Sequence, residues 1–139
     1  MTRIERYYEM IGRLLAFLVS QGLAKVTLRS SNAREILSSD GADSDDDMSD
    51  FKDVVHWMAS ERLIRFSSYY QATSFIFSEV QLTSRGISLI QATPDSTPLN
   101  ASIEKTLTDN AEGGLDASTY TKIGALAGGL LGGFTKSIG

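Results

Sequence analysis

The amino-acid sequence predicts an α+β fold that is mostly helical, with one β-hairpin between helices and a glycine-rich helix at its C-terminal end. Apolar residues recur at helical spacing near the N-terminus and again after residue 50. A run of β-branched, aromatic and serine residues follows, and glycines then recur every four residues. With 139 residues, of which 42% are hydrophobic, the chain suits one globular domain with an appendage.

The first predicted helix covers residues 3–20 and is closed by Gly22. Its apolar residues fall within one arc: Ile4, Tyr7, Ile11, Leu14, Leu15 and Leu18. Arg3, Arg6 and Arg13 share a neighbouring stripe. We interpret this stripe as a solvent-exposed side of the helix. The alternative is that the three arginines bind an anionic partner.

A short strand is expected at residues 24–29, followed by a helix over 33–38 that Asn32 would cap. Residues 39–50 are rich in Ser, Asp and Gly and predict a solvated acidic loop. Three of its carboxylates alternate as in a calcium-binding loop: Asp43, Asp45 and Asp47. Met48 and Val54 stand where such a loop needs glycine and glutamate, so we predict no metal site.

A second strong helix is predicted from residue 51 to about Arg62, with Ser49 or Asp50 as its cap. Its apolar face comprises Phe51, Val54, Val55 and Met58. Residues 64–81 then predict two strands joined by a turn near 71–73. A further helix, capped by Thr83, is expected to stop before Pro94.

Two segments resemble the winged-helix superfamily: SERLI at 60–64, where a helix ends, and VQLTSRGI at 80–87, after the hairpin. The resemblance covers about residues 3–92 and implies a winged-helix domain over 1–92. It would place the helix over 51–62 at the recognition position, and residues 67–74 at the tip of the wing. Membership would suggest DNA binding.

The charges depart from that expectation, because a face that binds DNA needs cations. Net charge is +4 over residues 1–34 but −8 over 35–61, the region that contains the recognition position. The solvent-facing residues predicted there are Asp50, Lys52, Asp53, His56, Ser60 and Glu61. The wing tip has no lysine or arginine but contains two tyrosines, which suit protein contacts. We therefore predict a protein-binding face with Lys52, His56, Tyr69 and Tyr70.

Nucleic acid remains an alternative partner, disfavoured by the acidic recognition position. Its candidate contacts are the arginines of the first 34 residues: Arg3, Arg6, Arg13, Arg29 and Arg34. The chain has one histidine, His56, and no cysteine, and it has no nucleophile-elbow or phosphate-loop pattern. We therefore predict no catalytic residues, no metal, no cofactor and no enzymatic activity.

The C-terminal region is predicted to be a linker over 93–116, with a short helix at 102–109, and then a glycine-rich helix over 117–139. Helical spacing places the small residues on one half of its wheel: Gly124, Ala125, Gly128, Gly129, Gly132 and Gly133. Five glycines cost roughly 4 to 5 kcal/mol against alanine, which packing must offset. Either a second copy or the chain's own body could supply that packing, and we assign the small-residue face to self-association.

Glycine repeats also pair helices in membranes, but the apolar run over 123–134 spans only roughly 18 Å of a hydrocarbon core about 30 Å thick. Glu5 and Glu9 stand where a secretory signal needs basic residues, so a cytoplasmic location is the default expectation. The sequence thus favours a small non-enzymatic adaptor or regulator that binds an unidentified protein and forms homo-oligomers. A dimeric DNA-binding transcription regulator and a membrane-associated protein are the alternatives.

Overall fold

A computed structural model describes residues 2–37, 45–91, 102–109 and 115–138, with the side-chain surroundings of 129–138 outside that description. The helices are α1 (Arg3–Gln21), α2 (Ser30–Leu37), α3 (Asp45–Ser60), α4 (Ser84–Gln91), α5 (Ile103–Asp109) and α6 (Ala117–Ile138). The strands are β1 (Val26–Arg29), β2 (Ile64–Arg65), β3 (Ser68–Gln71) and β4 (Phe75–Leu82). The predicted α+β class, mostly helical, is confirmed.

The antiparallel sheet is organised around β4. Strand β1 pairs with one edge of β4, while β2 and β3 pair with the other. Glu79 has a φ of 58°, and the register with β1 shifts at this point, as a β-bulge requires. The bulge changes the alternation of side chains, so Phe77 and Val80 are both buried although three positions separate them.

Helix α1 agrees with the prediction. The Thr2 hydroxyl accepts a hydrogen bond from the backbone N–H of Glu5 at 3.2 Å, and Gly22 ends the helix with a φ of 63°. Ile11, Leu14, Leu15 and Leu18 of the predicted arc are buried in the core, whereas Tyr7 is half-buried and Ile4 is 55% exposed. The hairpin is confirmed as well, since residues 72–74 connect β3 and β4.

Two helices start earlier than the sequence predicted. Helix α2 begins at Ser30, so Asn32 lies inside it, and its Oδ1 accepts a hydrogen bond from the Arg29 N–H at 2.9 Å. Helix α3 begins at Asp45, so the loop prediction is wrong for 45–50, and neither Ser49 nor Asp50 is a cap. Carboxylates near the start of a helix stabilise its first turn, because the backbone N–H groups there have no partner within the helix and carry a partial positive charge. The predicted end of the helix over 33–38 and the first part of the predicted acidic loop fall in residues 38–44, which lie outside the described ranges.

The C-terminal end of α3 and the start of α4 are joined by backbone contacts. Arg62 adopts a φ of 64°, and the Leu63 N–H donates to the Met58 carbonyl at 2.9 Å, which completes a Schellman motif. The predicted cap of α4 is confirmed, because Thr83 Oγ1 accepts a hydrogen bond from the Gly86 N–H at 3.0 Å. Gly86 in turn packs directly on the backbone of Leu63.

The two C-terminal helices join the same core. Ile103 and Leu107 of α5 are buried, and so are Ile123 and Ala127 of α6. Asp116 caps α6, since its Oδ1 accepts a hydrogen bond from the Thr119 N–H at 2.8 Å.

The Asp116 cap predicts a pH-dependent contribution to stability. Hydrogen bonds from the side chain and the backbone N–H of Thr119 lower the pKa of Asp116 from its ordinary value of 3.8. A lowered pKa in the folded state stabilises the fold above pH 3.8, and this stabilisation is lost as the pH falls through the folded pKa. Asp116→Ala should therefore lower the Tm at neutral pH, and the difference should narrow in acid. A Tm difference that stays constant below pH 3.8 would contradict this assignment.

Candidate functional site

Ion pairs connect the start of α1 to the start of α3. Arg6 pairs with Asp47, and Arg3 Nη2 lies 3.4 Å from Asp50 Oδ1. The Tyr7 hydroxyl donates to the same Asp50 oxygen at 3.1 Å. We call these five residues the acid-base clamp. Asp47 and Asp50 are only 5% and 8% exposed, so the prediction that Asp50 faces solvent is wrong.

The clamp is held by charge and by hydrogen bonds together. The Tyr7 hydroxyl, 3.2 Å from Arg3 Nη2, and then the Asp50 carboxylate raise the pKa of Arg3. The Arg3 cation thus lies beside a carboxylate of the same chain, although its side chain is 77% exposed.

Arg13 makes a separate contact between α1 and α6. Its Nε donates to Glu9 Oε2 at 2.8 Å, one helical turn away, and its guanidinium lies 4.5 Å from the centre of the Tyr120 ring. All three arginines of the predicted stripe thus face a carboxylate. Arg29 in β1 and Arg34 in α2, the other candidates for nucleic acid, are exposed.

Helices α1 and α6 cross at a pair of glycines, Gly12 and Gly124, which we call the glycine crossing. A Cβ atom at Gly124 would overlap the carbonyl oxygen of Tyr8, and a Cβ at Gly12 would overlap that of Tyr120. Because residue 8 meets 124 while residue 12 meets 120, the helices are antiparallel. The close approach predicted for Gly124 thus occurs within one chain.

The other members of the predicted small-residue face differ from Gly124. A Cβ at Gly128 would lie 3.8 Å from Tyr8 Cε1, which is an ordinary van der Waals distance. Ala125 is exposed. Gly129, Gly132 and Gly133 belong to the part of α6 whose surroundings lie outside the description. Gly12 was not predicted, although a glycine within an otherwise strong helix was a signal for it.

An apolar groove lies between α1 and α3, beside Gly128 of α6, and encloses about 530 Å³. Its lining residues are Ile4, Tyr7, Tyr8, Ile11, Asp53, Val54, Trp57 and Gly128. Ile4 is 55% exposed and Trp57 36%, so both offer apolar surface to solvent. Asp53, at the exposed surface of α3, is the one charged residue among the described residues of the lining.

An aromatic cluster joins α3 to the hairpin. The ring of His56 meets that of Tyr69 edge-on, with centroids 4.7 Å apart, and that of Phe77 at 5.1 Å. The Tyr69 hydroxyl donates to Gln71 Oε1 at 2.8 Å. Two of the residues predicted to bind a partner, His56 and Tyr69, therefore pack on each other and are half-buried.

The other two predicted partner-binding residues lie on the surface. Lys52 is half-exposed and precedes His56 by one helical turn. Tyr70 is 65% exposed, while its neighbour Tyr69 packs on His56, because successive side chains of a strand point to opposite faces. The two tyrosines thus do not form one surface.

No three histidine, aspartate or glutamate side chains in the described ranges converge in a way that could hold a metal ion. Among the described helices, none is both long enough and apolar enough to cross a membrane. Comparisons with protein-family models, with curated proteins and with solved structures found no match to this chain.

Proposed function

We propose that this chain is a small, non-enzymatic, winged-helix-like adaptor or regulator that acts through protein contacts and self-association. The order of its elements supports the winged-helix reading: a helix, a strand, two helices, hairpin strands and a further helix. The last strand occupies the middle of the sheet, as expected for a hairpin that packs against an earlier strand. In this arrangement α3 takes the recognition position and residues 72–74 form the wing tip.

The acid-base clamp carries the proposal that proteins rather than nucleic acids are the partners. Phosphate binding gains its free energy from cations that are free to replace counterions. Arg3 and Arg6 instead neutralise carboxylates of α3, the helix that would have to approach a DNA groove. The neighbouring apolar groove exposes Ile4 and Trp57, side chains that suit a protein partner.

A titration of labelled mixed-sequence duplex DNA, followed by fluorescence anisotropy at about 100 mM salt, tests this proposal. The natural protein should not bind at micromolar concentration. The double substitution Asp47→Asn and Asp50→Asn should release Arg3 and Arg6 and produce weak, salt-sensitive binding. The matched control replaces two exposed aspartates of the same helix, Asp46 and Asp53, with asparagine and so removes the same charge.

Submicromolar, salt-sensitive binding by the natural protein would overturn the proposal in favour of a DNA-binding regulator. The exposure of Arg29 and Arg34 favours this second candidate. Replacing both with alanine would then show whether they carry the binding.

A further inference from the structure

The sheet has one face on the core and one face toward solvent. Phe77 of β4 is fully buried, so its row of paired residues lies on the core face. Arg29, Ile76 and Tyr70 form the neighbouring row across β1, β4 and β3. Because successive side chains of a strand point to opposite faces, this row lies toward solvent, where Arg29 is exposed and Tyr70 is 65% exposed. We call this surface the outer sheet face.

The outer sheet face carries a net positive charge. Arg65 belongs to it as well, because Arg65 is exposed whereas its predecessor in β2, Ile64, is buried. Among the residues of the four described strands, Glu79 is the one carboxylate, and its Oε2 lies 3.5 Å from Lys25 Nζ. Arg29 and Arg65 form no ion pair with a carboxylate of the described ranges. The three cations and one carboxylate together give a charge of +2.

The solvent-facing side of α3 has the opposite charge. Asp46, Asp53 and Trp57 are exposed, and their spacing of seven and four residues places them along one side of the helix. We call these three residues the α3 stripe. Helix α3 contains five aspartates and one lysine, and Arg3 and Arg6 of α1 pair with two of those aspartates. A net charge of −2 therefore remains on this side of the molecule.

The outer sheet face and the α3 stripe lie on opposite sides of one chain. The ring of His56 packs on that of Phe77, so α3 covers the core face of the sheet while its stripe points away. The two surfaces are similar in length. Arg29 and Arg65 pair with residues 76 and 81 of β4, so their rows are roughly 15 Å apart. The α3 stripe also extends over roughly 15 Å of helix.

We propose that the outer sheet face of one copy binds the α3 stripe of a second copy. The contact brings arginines to aspartates and covers the exposed rings of Tyr70 and Trp57, a residue class enriched in protein interfaces. Because two different surfaces meet, the contact is head-to-tail, and association continues until a ring closes or an open chain forms. This inference rests on the proposed self-association and identifies the surfaces that carry it.

Sedimentation equilibrium at about 10 mM and about 1 M salt tests the role of charge, since the screening length falls from about 30 Å to about 3 Å. The natural protein should be oligomeric at low salt, and its mass should fall at high salt. Arg29→Glu with Arg65→Glu should weaken association about tenfold or more, because like charges then meet. The matched control is Lys105→Glu with Lys122→Glu, which reverses two exposed lysines of α5 and α6 and should leave association nearly unchanged.

A mixing experiment tests whether these two surfaces meet each other. Asp46→Lys with Asp53→Lys reverses the α3 stripe, so this variant and the double arginine variant should each be monomeric alone. Their mixture should recover oligomers, because every contact between the two variants then joins opposite charges. Circular dichroism establishes that the variants are folded. If the lysine variant unfolds, Asp46→Asn with Asp53→Asn replaces it and should weaken association by a smaller factor.

Oligomers that form equally well with both surfaces altered would overturn this contact and leave the proposed self-association standing. A natural protein that remains a single chain at both salt concentrations would refute the contact and the proposed self-association together. Binding of duplex DNA by the natural protein would refute the adaptor role alone. Recovery of oligomers in the mixture would still establish the contact in that case.

Discussion

Alanine at Gly124 is expected to destabilise the protein by about 3 kcal/mol, although alanine favours helix more than glycine does. The added methyl group would overlap the backbone carbonyl of Tyr8, which cannot move without displacing α1. Gly12→Ala should have a similar effect, since it would meet the Tyr120 carbonyl. Equilibrium unfolding in urea measures the loss of free energy directly.

Gly128→Ala provides the matched control in the same helix. Among the described residues its methyl group would meet the Tyr8 ring edge alone, at 3.8 Å, so the gain in helix propensity should stabilise the protein by up to about 1 kcal/mol. Substitutions four residues apart are thus expected to have opposite signs. Equal effects at Gly124 and Gly128 would refute the glycine crossing.

Asp47→Ser is expected to destabilise the protein by about 2 kcal/mol. Removing one partner of a buried ion pair costs about 3 to 5 kcal/mol, and the cost is smaller here because the Arg6 side chain is 40% exposed. The substitution also removes a carboxylate from the first turn of α3. Thermal and urea unfolding at neutral pH both report the change.

Asp46→Ser is the control for this substitution, because Asp46 precedes Asp47 by one residue but is exposed. It should change the free energy of unfolding by no more than about 0.5 kcal/mol. If Asp47→Ser is as mild as Asp46→Ser, the acid-base clamp does not stabilise the fold. The acidic segment would then behave as the solvated loop that the sequence alone predicted.

Elements with strong local patterns were predictable from the sequence. The helical pattern of α1, the hairpin turn and the Thr83 cap depend on residues within a few positions of each other, and the structure contains all three, with the turn at 72–74 where 71–73 was predicted. The start of α3 was missed because Asp, Ser and Gly favour loops when judged locally. Its aspartates instead pair with arginines more than 40 residues away, which local patterns do not reveal.

In the candidate site, too, local sequence patterns predicted some features, while contacts between distant residues determined the others. Four-residue glycine spacing predicted a close approach by another backbone, but spacing does not say which backbone it is. In the structure Gly124 contacts the backbone of α1, whereas Gly128 lines the apolar groove. The groove itself combines residues from three helices that lie far apart in the chain, such as Ile4, Trp57 and Gly128. No single segment of sequence carries a pattern for it.

Sedimentation velocity of the natural protein together with a labelled DNA duplex tests the central claim most directly, since absorbance and fluorescence follow the two molecules separately. Protein contacts and self-association predict that the protein sediments as an oligomer while the duplex sediments as it does alone. Duplex that moves with the protein at about 100 mM salt would contradict the claim. So would protein that sediments as a single chain.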